Sequence, residues 1–409
     1  MGNVPHLRFP EFIEEWEICK VSELLDFYST NSLSWEQLEY GEKAMMNLHY
    51  GLIHVGLPTM VDLRRDKLPN VKEGNMPKNF ELCKEGDVAF ADASEDTNEV
   101  AKAIEFFNLD NKDIVCGLHT IHGRDNKNKT VVGFKGYAFS SSAFHNQIRR
   151  IAQGTKIYSI STKNFSECYV GIPSKAEQTK IATLLRLIDE RIATQNKIIE
   201  DLKKLKSAIS KHLFARKDLL ETTICLSNIA TLKNGYAFQS GKYNALGKWK
   251  ILTITNVPGE RYINDEDCNC IINLPNDIQD HQVLKEGDIL ISLTGNVGRV
   301  SLCKNGDYLL NQRVGLLQLS KNVNREFLYQ ILSSQRFENS MIACGQGAAQ
   351  MNIGKGDVES YVLPYSSNGN NILWVAKILH SYDECIINEL RRLTLLTMQK
   401  QYLLTQMFI

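Results

Sequence analysis

The sequence lacks the features that mark several large protein classes. No apolar run reaches the roughly 18 residues that a membrane-spanning helix needs, and the first ten residues hold no apolar signal core. Neither sign of charge is in excess, since 47 Lys and Arg balance 47 Asp and Glu. Ten cysteines stand singly apart from Cys268 and Cys270, a pattern typical of buried thiols rather than of a disulfide framework. We therefore expect a cytoplasmic globular protein without a membrane segment, and 409 residues suggest two or three domains.

The signatures of common catalytic sites are missing as well. There is no G-x-x-x-x-G-K-[ST] phosphate loop, no dinucleotide fingerprint and no G-x-S-x-G nucleophile elbow. Glu-x-Lys, typical of one class of nucleases, and the Asn-Pro-Pro-aromatic loop of amino-methylating enzymes are also absent. His119-x-x-His122 and Cys268-x-Cys270 have spacings unlike a structural zinc pair, so we expect packing or surface roles for both histidines. The sequence favours a binding protein over an enzyme, with no metal site and no cofactor of its own.

The strongest pattern is a repeat with a period of nearly half the chain. Each half ends in a long segment, residues 176–216 and 371–409, and the two segments match at an offset of 194 residues. When positions are taken alternately four and three residues apart, eight of ten are apolar in each segment. Lys206 and Lys400 occupy the same position of the two patterns and are among the polar exceptions. Because both segments also lack Gly and Pro, the pattern predicts two long helices that pair through a coiled-coil seam. The apolar positions that we expect to pair are Ile181, Leu185, Ile188, Ile192, Ile199, Leu202, Leu379, Ile386, Leu393 and Leu396.

The segments before the helices, residues 1–175 and 217–370, predict two globular units. Both contain short β-rich runs, such as 131–134, 137–139 and 289–293, between turn-rich stretches. The steady alternation of strands and helices that a Rossmann fold requires is missing. We therefore predict mixed α/β (α+β) units with mostly antiparallel or irregular sheet, separated by the two helices in a pseudo-twofold repeat.

Charge is distributed unevenly along each unit. Residues 1–113 carry a net charge of −11, whereas residues 114–166 carry eight basic residues and one acidic residue, a net charge of +7. In the second unit, residues 296–337 hold six basic and two acidic residues. A surface that faces DNA phosphates needs such a local basic patch, although a solvated face would show the same composition.

This organisation, two unlike globular units each followed by a similar long helix, resembles the specificity subunit of type I restriction–modification systems over essentially the whole chain. The segments that are similar to family motifs are residues 5–12 with Trp16, 33–38, 47–54, 117–121, 234–238 and 292–299. One departure is residues 365–371, where the family often has a Pro-rich entry and a Glu-Gln pair like Glu177-Gln178 of the first repeat. The second helix is therefore expected to begin differently.

The resemblance implies a subunit that is not itself an enzyme. Each globular unit would be a target-recognition domain (1–175 and 217–370) that reads one half of a split, asymmetric site in double-stranded DNA. The spacer helices (176–216 and 371–409) would set the distance between the halves. Two methyltransferase subunits that use S-adenosylmethionine would dock on the chain, and two ATP-driven restriction subunits can join them.

Base contacts require donors and acceptors that match base edges, such as Arg with guanine and Asn or Gln with adenine. For each candidate, a surface or turn role is the alternative. In the first unit the candidates are His119, Thr120, Arg124, Gln147, Arg149, Arg150, Gln153 and Lys156. In the second unit they are Asn296, Arg299, Gln312, Arg313, Gln346, Gln350 and Asn352, and we expect Gly295 and Gly298 to serve a tight turn.

Two other functions remain open from the sequence. The zero net charge fits a coiled-coil interaction scaffold that has no DNA specificity, and a steep salt dependence of DNA binding would argue against that scaffold. A hydrolase with an unrecognised catalytic site would show turnover that persists without any partner.

Overall fold

The computed structural model describes residues 2–41, 45–345 and 351–409. Contacts divide the chain into two compact units, Met1–Asn196 with Arg392–Ile409, and Lys197–Arg391. The division falls inside both long helices, so each helix contributes one part to each unit. In the described ranges, no helix is long and apolar enough to cross a membrane.

The first unit combines short strands with short helices and the start of the first long helix. Its strands are β1 (Glu17–Lys20), β2 (Asp26–Tyr28), β3 (Leu38–Glu39), β4 (Met45–Leu48), β5 (Met60–Asp62), β6 (Asn70–Val71), β7 (Val88–Ala91), β8 (Ala93–Ser94), β9 (Ala103–Asn108), β10 (Asp113–Cys116), β11 (Thr120–Arg124), β12 (Tyr158–Ser159) and β13 (Tyr169–Ile172). Its helices are α1 (Val21–Leu24), α2 (Tyr50–His54), α3 (Lys135–Phe139), α4 (Ser142–Ile151), α5 (Thr162–Ser166) and α6 (Lys175–Ala215), which continues into the second unit.

These strands form a five-stranded sheet in the order β2-β11-β7-β9-β5 and a four-stranded sheet in the order β10-β4-β6-β3. Strand β1 pairs with β13, and β8 pairs with β12. The pairings are antiparallel except β10 with β4 and β5 with β9, so the expectation of mostly antiparallel sheet is confirmed in this unit.

The second unit repeats this plan with fewer strands. Its strands are β14 (Thr222–Cys225), β15 (Ala230–Asn234), β16 (Trp249–Leu252), β17 (Asn269–Ile271), β18 (Ile289–Ser292), β19 (Val300–Leu302), β20 (Tyr308–Leu310), β21 (Val314–Leu319) and β22 (Val362–Tyr365), and its helices are α7 (Arg325–Leu332), α8 (Gln335–Gly345), α9 (Lys355–Glu359) and α10 (Gly369–Gln406). The sheet orders are β15-β21-β18-β19, β17-β16-β20 and β14-β22. The strand predicted at 289–293 is confirmed as β18.

The segment 131–139, predicted to hold two β-rich runs, is not a strand. Residues 131–134 lead through a turn into α3. The cause is Glu105, a fully buried carboxylate that accepts hydrogen bonds from the backbone N–H groups of Gly133 (2.9 Å) and Gly136 (2.8 Å). Gly133 also has a φ of 94°, which glycine adopts without strain. Backbone donors that are committed to one carboxylate cannot serve a neighbouring strand.

The two long helices begin differently, as the sequence predicted. At the start of α6, Glu177 binds the guanidinium of Arg8 through both oxygens (2.7 and 2.8 Å), and Gln178 donates to the carbonyls of Lys129 and Pro173. At the start of α10, the Asn371 side chain instead donates to the carbonyl of Leu219 (3.0 Å).

In the first unit, the end of α10 packs antiparallel against the start of α6. Gly171, just before α6, lies against Ile409, whereas Asp189, further along α6, accepts from Lys400 Nζ at 2.6 Å. The apolar residues of the two helices that are buried in this core are Ile181, Ala182, Leu185, Ile188, Leu403 and Leu404, with Ile192 packed against them. Met407 and Phe408, directly after α10, are buried in the same core.

In the second unit, the end of α6 packs antiparallel against the start of α10. The contact of Asn371 with Leu219 lies near one end of this pair, and Lys206 donates to Asp383 at 2.6 Å further along. The buried apolar helix residues here are Leu213, Ile372, Val375, Ala376 and Leu379, with Ile209 packed against them. Among the other positions expected to pair, Ile199 and Ile386 are buried, and Leu202, Leu393 and Leu396 are partly buried.

The lysine that both helices carry at the same position of the repeat, Lys206 and Lys400, has a structural explanation. Lys206 pairs with Asp383 in the second unit, and Lys400 pairs with Asp189 in the first unit. The two lysines are 194 positions apart, and so are the two aspartates. A lysine in the seam is therefore neutralised by an aspartate of the opposite helix in both repeats.

Candidate nucleic-acid interface

The turn before β11 presents His119 at the surface of the first unit. His119 has a φ of 55°, a left-handed conformation that is uncommon outside glycine and often occurs at functional sites. Its side chain is 50% exposed, with Nδ1 3.1 Å from an Asp92 carboxylate oxygen. The next residue, Thr120, is buried and donates its hydroxyl to the carbonyl of Gly117 (2.6 Å). The turn thus exposes His119 and uses Thr120 to hold its own shape.

A row of rings continues from His119 to an exposed tryptophan. Tyr50 lies edge-on to His119 with ring centroids 5.4 Å apart, and it also contacts His49 at 4.7 Å. Trp35 stacks on His49 at 4.4 Å and is 45% exposed. Burial lowers the pKa of His49, and the nearby His119 adds to that shift. Sequence reasoning placed Trp35 and Tyr50 within family-like segments but did not select them as candidate contacts.

A second exposed turn, residues 153–157, lies beside the His119 turn. Strand β12 after this turn pairs with β8, and Ile160 donates its N–H to the carbonyl of Asp92, the partner of His119. Gln153 and Lys156 are exposed. Gly154 is required here because a Cβ at this position would lie 1.8 Å from the carbonyl oxygen of Ile157.

Helix α4 contributes cations to the same region. Arg149 is exposed and donates to the side-chain oxygen of Asn98 (2.8 Å), in the loop that follows β8. Arg150 is exposed as well. Gln147, in contrast, both donates to and accepts from the backbone of Tyr169 in β13 (2.8 and 2.9 Å), so its amide holds α4 against β13.

Arg124 does not reach the surface, which corrects its selection as a contact. Its side chain is 8% exposed, and it donates to both oxygens of Asp87 (2.8 Å each) and to Glu81 (2.5 Å). It also lies over the ring of Tyr28, 4.4 Å from the centroid. A guanidinium that is already engaged with two carboxylates has few donors left for a base. Sequence reasoning could not separate this buried arginine from surface ones.

Several other charges of the basic stretch 114–166 are also consumed internally. Lys129 pairs with Glu17 at 2.7 Å, and Lys135 is buried against Glu105 at 3.2 Å. The exposed cations of this stretch with no carboxylate partner among the described residues are Lys127, Arg149, Arg150, Lys156 and Lys163, and of these Lys127 donates its Nζ to the backbone carbonyl of Glu23. The surface patch is therefore smaller than the net charge of the stretch suggested.

In the second unit, three predicted residues line one cleft. Gln312, Arg313 and Asn352 are exposed and surround a cavity of about 460 Å³ together with Lys355 and Thr294. The backbone of Thr294 bridges to Asn352, and Leu293 donates its N–H to the carbonyl of Arg313, which fixes the two walls. The cleft therefore carries amide and guanidinium donors on a rigid frame.

The turn 294–298 begins at Thr294, which lines this cleft. Gly295 and Gly298 have φ values of 70° and 80°, which confirms the expected tight turn, and Asn296 is exposed on it. Arg299 faces a different, shallow cleft beside Gly259, with its Nε 3.6 Å from Glu338. Gln346 and Gln350 lie outside the described residues.

The two weak metal patterns of the sequence do not form metal pairs. His119 is exposed and bound to Asp92, whereas His122 is buried with its Nε2 2.8 Å from Asp87. Burial alone would raise the pKa of the Asp87 carboxyl, but the bonds from His122 and Arg124 lower it below its usual value. Cys268 accepts a hydrogen bond from an asparagine amide.

One group of side chains could hold a metal ion, and the sequence did not predict it. Cys83, Cys116 and His122 are buried, and one donor atom of each lies within 4.8 Å of the others. The signal was hidden because Cys83 and Cys116 are separated by 33 positions.

Comparison with known proteins identifies the family. The family model described as "Type I restriction modification DNA specificity domain" matches residues 117–204 and 221–397. The chain belongs to this family. Both long helices lie largely within the matched residues, and the second match includes the cleft at Gln312, Arg313 and Asn352.

Individual members of the type I specificity family are similar to this chain. The "Type I restriction enzyme MjaVIII specificity subunit" of Methanocaldococcus jannaschii is 29% identical over 213 residues, which cover 46% of this chain and 49% of that protein. The match thus spans about half the length of this curated relative. A crystal structure of the S subunit of a type I restriction–modification system from M. genitalium covers 99% of both chains, with 18% identity and a TM-score of 0.56. A structure from work on "complex assembly" and "conformational transition of the type I R-M system" covers 95% of this chain and 96% of its own, with 14% identity and a TM-score of 0.57. These structures share the fold.

Proposed function

We propose that this chain is the non-catalytic DNA specificity subunit of a type I restriction–modification complex. Each globular unit would read one half of a split, asymmetric site in double-stranded DNA, and the long helices would fix the spacing between the halves. The observation that carries the proposal is the repeat of a globular unit and a long helix in a chain of the type I specificity family. Because the two units differ in sequence and in sheet topology, the two half-sites should differ.

In the first unit, the proposed DNA surface consists of the His119 turn, the 153–157 turn and the exposed end of α4. His119 and Gln153 supply groups that can hydrogen-bond base edges, and Trp35 offers a ring face. Arg149 and Lys156, which have no carboxylate partner among the described residues, would neutralise phosphates. Arg124, Thr120 and Gln147 are excluded from this surface by their internal bonds.

In the second unit, the proposed reading site is the cleft lined by Gln312, Arg313 and Asn352. Guanidinium and amide groups match the hydrogen-bonding edges of guanine and adenine in the major groove. The fixed backbone on both walls favours a specific fit, because little side-chain and loop ordering would then be required on binding.

The proposed partners are two methyltransferase subunits that use S-adenosylmethionine, and two ATP-driven restriction subunits can join them. An apolar stripe on α10 fits such a role, because Leu395, Met398 and Tyr402 are 65%, 62% and 59% exposed on one helical face. A complex that acts on the DNA of the cell would work in the cytoplasm.

The proposal is tested by DNA binding of the chain assembled with its methyltransferase partner. Replacing Arg149 and Arg150 together by alanine should weaken binding, and it should make the salt dependence of log K shallower by about one unit per lost phosphate contact. Lys197→Ala, which removes an exposed cation from α6, is the matched control and should matter less. Equal losses in both variants would contradict the proposed surface. Binding that shows no sequence selectivity would contradict the proposed function.

A further inference from the structure

Three buried side chains of the first unit converge at one point behind the His119 turn. Cys83 lies before β7 and donates its N–H to the carbonyl of Ile114 (2.8 Å), Cys116 ends β10, and His122 lies in β11. Their exposed fractions are 5%, 2% and 0%. The two sulfur atoms are 3.5 Å apart, and one donor atom of each of the three side chains lies within 4.8 Å of the others. The cluster is thus a buried set of two thiols and an imidazole.

The orientation of His122 is that of a metal ligand. Its Nε2 lies 2.8 Å from Asp87, and in the neutral imidazole that donates this Nε2–H to the carboxylate, Nδ1 carries the free lone pair. Nδ1 is buried and has no hydrogen-bond partner in the described structure. Histidines that bind metals commonly donate their other N–H to a carboxylate in this way. Arg124 in turn holds Asp87 through two bonds of 2.8 Å, so the orienting carboxylate is itself fixed.

The sulfur spacing agrees with a shared ion. Zinc binds thiolate sulfur at about 2.3 Å in tetrahedral geometry, which places two sulfurs about 3.8 Å apart. The observed 3.5 Å is close to that value and far from the roughly 2.05 Å of a disulfide. Two thiolates also balance the charge of a divalent ion in this buried site.

The internal repeat indicates that packing alone does not require a cysteine at position 83. Lys84-Glu-Gly-Asp87 recurs as Lys285-Glu-Gly-Asp288, so Leu284 stands where the first unit has Cys83. Leu284 is buried in the core of the second unit. An aliphatic side chain therefore fills this position of the fold.

We propose that Cys83, Cys116 and His122 bind one Zn²⁺ ion, with a fourth coordination position left to a non-protein ligand. The ion joins β10 to β11 and thereby ties together both ends of residues 117–121, which carry His119. Bound zinc would stabilise the folded state that assembles these buried ligands.

The test uses the full chain, stripped with a chelator, reloaded with Zn²⁺ and freed of excess metal. Elemental analysis should find about one Zn²⁺ per chain. Cys116→Ser and Cys83→Leu should each abolish this binding, and Cys83→Leu is expected to fold because Leu284 fills the repeated position. Cys168→Ser, which changes a buried cysteine of the same unit outside the cluster, is the matched control and should retain the metal.

A second readout separates a metal site from packing. Co²⁺ loaded in place of Zn²⁺ should give thiolate-to-metal charge-transfer absorption in the wild type and in Cys168→Ser, but not in Cys83→Leu. The chelator should lower the melting temperature of the wild type and leave that of Cys83→Leu unchanged. The proposal is overturned if the reloaded wild type holds no zinc, or if folded Cys83→Leu retains it.

Discussion

Asp383 should be one of the most sensitive polar positions of the second unit. Its side chain is 7% exposed, and it accepts from Lys206 (2.6 Å), Arg261 (2.8 Å) and Gln330 (2.6 Å). Asp383→Asn keeps the volume but removes the charge, and it places an amide N–H₂ among three donors. Breaking a buried ion pair by changing one partner costs roughly 3–5 kcal/mol.

The cost should fall near the lower end of that range, at about 3 kcal/mol, because each cation has an alternative. Arg261 keeps Glu326 at 2.7 Å, and Lys206 is 18% exposed and can reach water. For a unit of this size, each kcal/mol lowers the melting temperature by about 2–4 °C, so a loss of roughly 6–12 °C is expected.

Calorimetric melting of the full chain measures this effect. The matched control is Glu384→Gln, at the next position of α10, where the side chain is 48% exposed and the change should stay within about 0.5 kcal/mol. If Asp383→Asn melts together with Glu384→Gln, the buried network does not stabilise the helix pair and our reasoning about the seam is refuted.

Three further predictions concern the first unit. Asp189→Asn should lower the melting temperature less than Asp383→Asn does, since among the described residues Asp189 has two partners, Lys400 and the hydroxyl of Tyr137, where Asp383 has three. An equal or larger loss in the same calorimetric scan would contradict this ranking. Ile188→Lys should destabilise the unit by roughly 3 kcal/mol or more, because it buries an unpaired charge in the helix seam, and an unchanged urea midpoint would show that the helices do not pair there. Gly154→Ala should disrupt the 153–157 turn and weaken DNA binding by the assembled complex. The melting temperature should fall by no more than a few degrees. Unchanged affinity would remove this turn from the proposed surface.

The long helices were predictable because their signal is local and periodic. Alternating steps of four and three residues are visible in the sequence, and residues 176–216 and 371–409 contain no Gly or Pro that would break a helix. The lysine at the same position of both patterns, Lys206 and Lys400, was visible too. Its meaning required the structure, because the partners Asp383 and Asp189 lie on the opposite helix.

The site was less predictable because burial and ion pairing depend on contacts that are distant in sequence. Net charge could not tell Arg124, buried against Asp87, from Arg149 on the surface. The segment 131–139 has strand-like composition, but Glu105 captures its backbone donors. In the second unit, Gln312, Arg313 and Asn352 were selected for their hydrogen-bonding side chains alone, and only the structure shows that all three line one cleft.

The central claim is that this chain determines which DNA sequence its partner methyltransferase modifies. Single-molecule methylation sequencing tests this claim most directly. DNA from cells that express the chain with its neighbouring methyltransferase should show a new split, asymmetric motif methylated on adenine. Exchanging residues 1–175 for the same region of another member of the family should change one half of the motif and leave the other half and the spacing intact. No new motif, with expression of both proteins verified, or a motif that the exchange leaves unchanged, would contradict the account.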